Sequence, residues 1–73
     1  MNNFLEFVAG ILNVPVESIS LDTTYNSIPV WDSLMQIRLV MEIERKYSIN
    51  IGIQMVNKIR SLGDFYKLIE NKI

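Results

Sequence analysis

The chain has 73 residues, 49% of them hydrophobic, with 7 basic and 8 acidic side chains and a net charge of -1. That length is read as a single domain over residues 1–73. Such a domain buries only roughly 60% of its unfolded surface. There is no cysteine and no histidine, which removes disulfides, a Ser-His-Asp nucleophile and the commonest metal ligand.

The basic residues are scattered among acidic ones and form no stripe that would track nucleic-acid phosphates. No apolar run approaches the roughly 20 residues of a bilayer span. The start, Met1-Asn2-Asn3-Phe4-Leu5-Glu6, lacks the basic opening of a secretory signal. The expectation is a cytoplasmic, monomeric protein with no metal, no nucleic-acid partner and no catalytic residues. Any reactive serine has to be worked on by another protein.

Asn3 to Asn13 is expected to form the first helix. Phe4, Phe7, Val8, Ile11 and Leu12 repeat at the spacing of one helical face, and Glu6 and Gly10 fall on the other side. Pro15 disfavours helical geometry at Val14 and stops it there. A long connection runs from Pro15 to Trp31. Ser18, Ser20, Asp22, Thr23, Thr24, Asn26, Ser27 and Pro29 supply its turns. Val16, Ile19, Leu21, Tyr25, Ile28 and Val30 are interleaved, so the loop is expected to pack onto the core, with a helical turn within Val16 to Ile19. A connection this long in a small domain points to function.

Asp32 caps a second helix that reaches Tyr47, its carboxylate accepting a free N–H of the first turn. Leu34, Ile37, Val40, Met41 and Ile43 are assigned to its apolar side. Arg38, Glu42, Arg45 and Lys46 are assigned to the opposite arc, with Met35 among them. The apolar surface is wide enough that part of it is expected to face a partner. Ile49, Ile51 and Ile53 alternate as in a strand, but no second strand is evident to pair with them, so Ser48 to Ile53 is read as an extended connection. A short helix follows from Gln54 to Ile59, using Met55, Val56 and Ile59. Ser61 to Asp64 has the form of a capping box, with Asp in the fourth position. It opens a last helix to Lys72 that buries Leu62, Phe65, Tyr66, Ile69 and Ile73.

The segment that carries a function signal is Val30-Trp31-Asp32-Ser33-Leu34-Met35-Gln36-Ile37. Asp-Ser-Leu alone is a common tripeptide. Here it follows a long loop and opens the longest helix of a short chain. In that context it resembles the attachment motif of acyl carrier proteins, as do the helix order and the Ser-Leu-Gly-Asp start of the last helix. The resemblance covers essentially the whole chain. It implies an all-α fold: a small four-helix bundle with a long first loop and a short third helix.

The resemblance further implies that Ser33 carries a covalent 4'-phosphopantetheine taken from coenzyme A, on which acyl groups ride as thioesters. Asp32 then serves both as helix cap and in recognition by a phosphopantetheinyl transferase. Leu34, Met35, Arg38 and Met41 are the expected contacts with the transferase and with acyl-loading and acyl-processing enzymes. Met35, on the charged arc, is the expected exposed apolar contact. A phosphodiester on Ser33 would lie near the free N–H groups of the helix start.

Plainer alternatives stand beside this reading. Ser33 and Asp32 are ordinary residues for any helix start. Leu34 and Met41 fit a core as well as a docking face, and Trp31 either closes the loop as a core aromatic or lines the surface beside the arm. A helical interaction module without a prosthetic group, or a peptidyl carrier, are the competing functions. Val30-Trp31 stands where peptidyl carriers have two glycines. Fatty-acid carriers have a strongly acidic second helix, whereas Met35, Arg38 and Arg45 follow the serine here. Steering by a basic partner is therefore weaker, and a dedicated, polyketide-like pathway is the expectation.

Overall fold

Helix α1 spans Asn2–Leu12. It buries Phe4, Val8 and Leu12 of the expected face, and Ala9 besides, with Phe7 and Ile11 half-buried and Glu6 and Gly10 facing outward. It ends one residue before Asn13, which adopts a left-handed backbone with φ 60°. The Val14 N–H then donates to the Ala9 carbonyl at 3.1 Å, the closure typical of a helix that ends on a left-handed residue. The computed structural model describes residues 2–72, so the expected burial of Ile73 lies outside the described residues.

The long connection contains a 3-10 turn at Val16–Ser18. Its apolar residues do pack inward: Ile19 is buried, and Val16, Leu21, Tyr25, Ile28 and Val30 lie half-buried against the core. Trp31 is fully buried, so it is a core aromatic that closes the loop. The loop is also stitched to Arg60 and to the first residues of the last helix. Tyr25 N–H donates to the Arg60 carbonyl at 2.7 Å, Leu62 N–H to Thr23 at 3.0 Å and Gly63 N–H to Leu21 at 2.8 Å. A Cβ on residue 63 would meet the Leu21 carbonyl oxygen at 3.0 Å, so glycine is what allows this close approach. An isolated antiparallel bridge between Thr24 and Ser61 is the nearest thing to a sheet among the described residues.

Helix α2 spans Ser33–Tyr47. Its buried face is Gln36, Leu39, Val40 and Ile43. It ends at Ser48, again left-handed at φ 54°, whose N–H bonds the Glu44 carbonyl, with Arg45 and Lys46 in the last turn. Both cations complement the negative end of the helix. The connection after it ends at Gly52, whose backbone is extended, one residue short of the expected Ser48 to Ile53 because Ile53 opens the next helix. Its Ile51 N–H donates to the Glu44 carboxylate at 2.7 Å, and Ile51 is buried. The alternation fails at Ile53, which is 85% exposed.

Helix α3 spans only Ile53–Val56, shorter than the expected 54–59, and Ile59 is buried beyond its end. Helix α4 spans Leu62–Lys72. Its start is a reciprocal box. Asp64 N–H donates to Ser61 Oγ at 3.2 Å, while Asp64 Oδ2 accepts Ser61 N–H at 3.2 Å and Arg60 N–H at 2.8 Å. Aspartate thus does here what glutamate or glutamine does in the usual box. Leu62, Phe65 and Ile69 join Phe4, Val8, Leu12, Leu39 and Ile43 in one core. The fold is all-α, a small four-helix bundle with a long first loop and a short third helix.

Candidate phosphopantetheine site

The loop–helix corner is built by Asp32. Its backbone is extended, and its Oδ1 accepts the N–H of Met35 at 3.0 Å. This is the hydrogen bond expected of a cap and satisfies one donor that the helix start leaves open. Ser33 follows as the first helical residue, and both Asp32 and Ser33 are exposed.

Directly behind this corner a buried side-chain pair ties the loop to the helix. The Trp31 indole N–H donates to Gln36 Oε1 at 2.7 Å. Gln36 Nε2 donates in turn to the carbonyls of Val56 and Ile59 at 3.0 and 3.1 Å. Gln36 is 6% exposed. One buried amide therefore holds the end of the long loop against α3 and the chain after it.

Ser33 lines a groove of about 260 Å³ whose other walls include Tyr25, Ile37, Val56, Asn57 and Arg60. A second, more apolar groove of about 410 Å³ lies alongside, between Ile37, Val40 and Met41 of α2 and Ile51, Ile53 and Val56.

The solvent-facing side of α2 differs from the expected division. Leu34, Ile37 and Met41 are 77%, 52% and 57% exposed. They share that side with Arg38 and Arg45, which are also exposed. At about 100° per residue, Leu34, Arg38, Met41 and Arg45 form one narrow arc, with Ile37 at its flank. Met35, expected to be exposed, is instead half-buried and packs on the core. The cause is Gln36. The core face is centred on Gln36, Leu39, Val40 and Ile43, and a polar residue at its centre hides it from an apolar-spacing rule. That rule also passed over Leu39, which is fully buried.

The sequence pattern of the phosphopantetheine attachment site family matches residues 3–69. The chain belongs to that family. It is therefore a carrier domain that bears covalent 4'-phosphopantetheine and is itself non-catalytic. A carrier of this kind works with a modifying transferase and with enzymes that process its cargo. Comparison with individually curated proteins yields no match. No described helix is long and apolar enough to cross a membrane.

Several residues around the carrier's corner were not singled out by spacing. Tyr25, Asn57 and Arg60 reach Ser33's groove from the loop and from the chain after α3. Nothing in their local sequence marks them, since chain segments far apart bring them together. Ile37, assigned from spacing to the apolar side of the helix, lies three residues after Leu34 and four before Met41, on neighbouring positions of one helix face.

Proposed function

We propose that this carrier holds its arm on Ser33 and carries acyl groups for a dedicated, polyketide-like pathway. The observation that carries the reading is the exposed Ser33 hydroxyl at the capped start of α2. The residues at the corner fit the group. The hydroxyl is open to a visiting enzyme, it borders a groove that can receive part of an arm, and no thiol of the chain competes with the arm's own. When bound, the group supplies a thiol that carries acyl groups as thioesters.

Attachment is a phosphoryl transfer. Ser33 Oγ forms a P–O bond to the coenzyme A phosphate that bears pantetheine. The bond from that phosphate to the nucleotide's bridging oxygen breaks, adenosine 3',5'-bisphosphate leaves, and the hydroxyl proton goes to a base of the transferase. The chain has no histidine to act as that base. Its part is to hold Ser33 steady, through the Asp32 cap and the Trp31–Gln36 bond behind it.

The acyl rather than peptidyl branch is favoured by Val30-Trp31. Trp31 is a fully buried side chain, a role that glycine has no side chain to fill. The dedicated pathway is supported by the outer face of α2, where Leu34, Met41, Arg38 and Arg45 stand together. Such a face suits a partner that reads apolar shape rather than one that attracts an acidic helix.

Intact-protein mass spectrometry after incubation with coenzyme A and a broad-specificity transferase tests the attachment. One added arm that disappears in Ser33→Ala is expected. An unchanged wild-type mass with several competent transferases overturns the reading. Acyl loading by fatty-acid enzymes as efficient as on their own carrier would overturn the pathway assignment alone.

A further inference from the structure

Arg60 is the only charged side chain among those lining the groove that begins at Ser33. Its surroundings hold it there. Its guanidinium carbon lies 5.8 Å from the centre of the Tyr25 ring, a cation–π distance. Its backbone is pinned on both sides of the residue. The Arg60 carbonyl accepts Tyr25 N–H at 2.7 Å, and the Arg60 N–H donates to Asp64 at 2.8 Å. Just before it, the Ile59 carbonyl accepts from Gln36. The exposed cation thus stands on a fixed base, and stacking on an aromatic face narrows the rotamers it must give up on binding.

The rest of the groove mixes polar and apolar walls. Asn57 adds an exposed amide, and Ile37 and Val56 give the wall an apolar stretch. A phosphodiester carries one negative charge and accepts hydrogen bonds from a guanidinium fork. The segment that follows it in pantetheine is a carbon bearing two methyl groups, then a hydroxyl and an amide. The groove thus offers a cation, an amide and an apolar wall, which are the kinds of partner this stretch of the arm calls for.

We propose that Arg60 is a contact residue for the arm's phosphodiester, and that the groove between Tyr25 and Val56 seats the first part of the arm. The inference rests on the assignment of Ser33 as the attachment point. The loaded arm then leaves the protein across α3 rather than directly into solvent. The chain gives up part of the arm's freedom to present it in a preferred direction.

The test uses the whole protein in apo and loaded form. Phosphorus NMR reads the phosphodiester, and nitrogen-15 NMR reads the arginine Nε–H groups. On loading, the Arg60 Nε–H resonance is expected to shift, while those of Arg38 and Arg45 stay in place. Arg60→Gln is expected to move the phosphorus resonance toward that of a free pantetheine phosphodiester and to sharpen it. Arg60→Lys is expected to restore part of the difference, and about 1 M salt to reduce it in the wild type. Both substitutions leave the two backbone hydrogen bonds of residue 60 in place. The apo-to-loaded comparison on the wild-type chain needs no variant at all. An Arg60 resonance that does not move on loading, or identical phosphorus spectra for wild type and Arg60→Gln, overturns the proposal. Failure of Ser33 to accept the arm would instead overturn the attachment assignment.

Discussion

Trp31 and Gln36 form a buried side-chain pair, indole N–H to amide oxygen at 2.7 Å, and the same amide also bonds the carbonyls of Val56 and Ile59. All buried side-chain nitrogens and oxygens among the described residues have a hydrogen-bond partner, so this one glutamine satisfies groups from three chain segments. Replacing it by Leu would take this partner from the buried indole N–H and from two carbonyls. At ~1–3 kcal/mol for a buried group left unsatisfied, Gln36→Leu is expected to cost about 2–4 kcal/mol. Urea unfolding of the apo protein measures it. A double-mutant cycle with Trp31→Phe should show a coupling of about 1 kcal/mol.

Asp32 has two proposed roles that substitution can separate. Asp32→Ala removes the acceptor of the Met35 N–H and should cost about 1 kcal/mol. Asp32→Asn keeps an amide oxygen that can cap, so its stability should stay near wild type. Slow arm transfer in both variants would assign the carboxylate to transferase recognition. Slow transfer in Asp32→Ala alone would assign it to the cap.

The outer arc of α2 should be separable from its inner face. Leu34→Glu and Met41→Glu replace side chains that are mostly in water, so unfolding free energies should stay within about 0.5 kcal/mol of wild type. Their effect should fall on acyl loading by the cognate enzyme, read as weakened binding. Leu39→Ala opens the core and should cost about 2–5 kcal/mol.

At the far end of the bundle, Tyr47 packs against Phe4 and Phe7 with ring centroids 6.3 and 6.2 Å away. Burial raises its phenol above the ordinary value of 10.0, and nearby Tyr66 adds to the shift. The unfolded chain therefore loses this proton first. The contribution is fully present below pH 10 and is lost as pH rises through the higher folded-state value. Stability should fall in that alkaline window, and Tyr47→Phe should flatten the fall. An equal alkaline loss in both proteins would show that other groups cause it.

Much of the bundle was legible from local rules because those rules act within a turn or two of chain. Pro15, the Asp32 cap, the Ser61–Asp64 box and the apolar face of α1 each declare themselves within about four residues. The Asp-Ser-Leu stretch at the start of α2 lies within such a window too. The division of α2 was not. A spacing rule counts apolar residues, and it grouped Leu34 and Met41 with Val40 and Ile43 while excluding Gln36. Whether a glutamine is inside depends on partners at Trp31, Val56 and Ile59, up to 23 residues away.

The capped start of α2, the helix order and the inward packing of the long loop can therefore be read from local sequence. Each follows from local backbone preference or from apolar residues that have to leave water. Which side of α2 meets solvent, and which residues stand around Ser33, depend on how the helices and the loop pack together. Leu34, Ile37 and Met41 face outward because the inner positions are already filled. Tyr25 and Arg60 reach the serine's groove because backbone hydrogen bonds tie the long loop to the chain ahead of α4. Those are long-range pairings, and no window of sequence contains both partners.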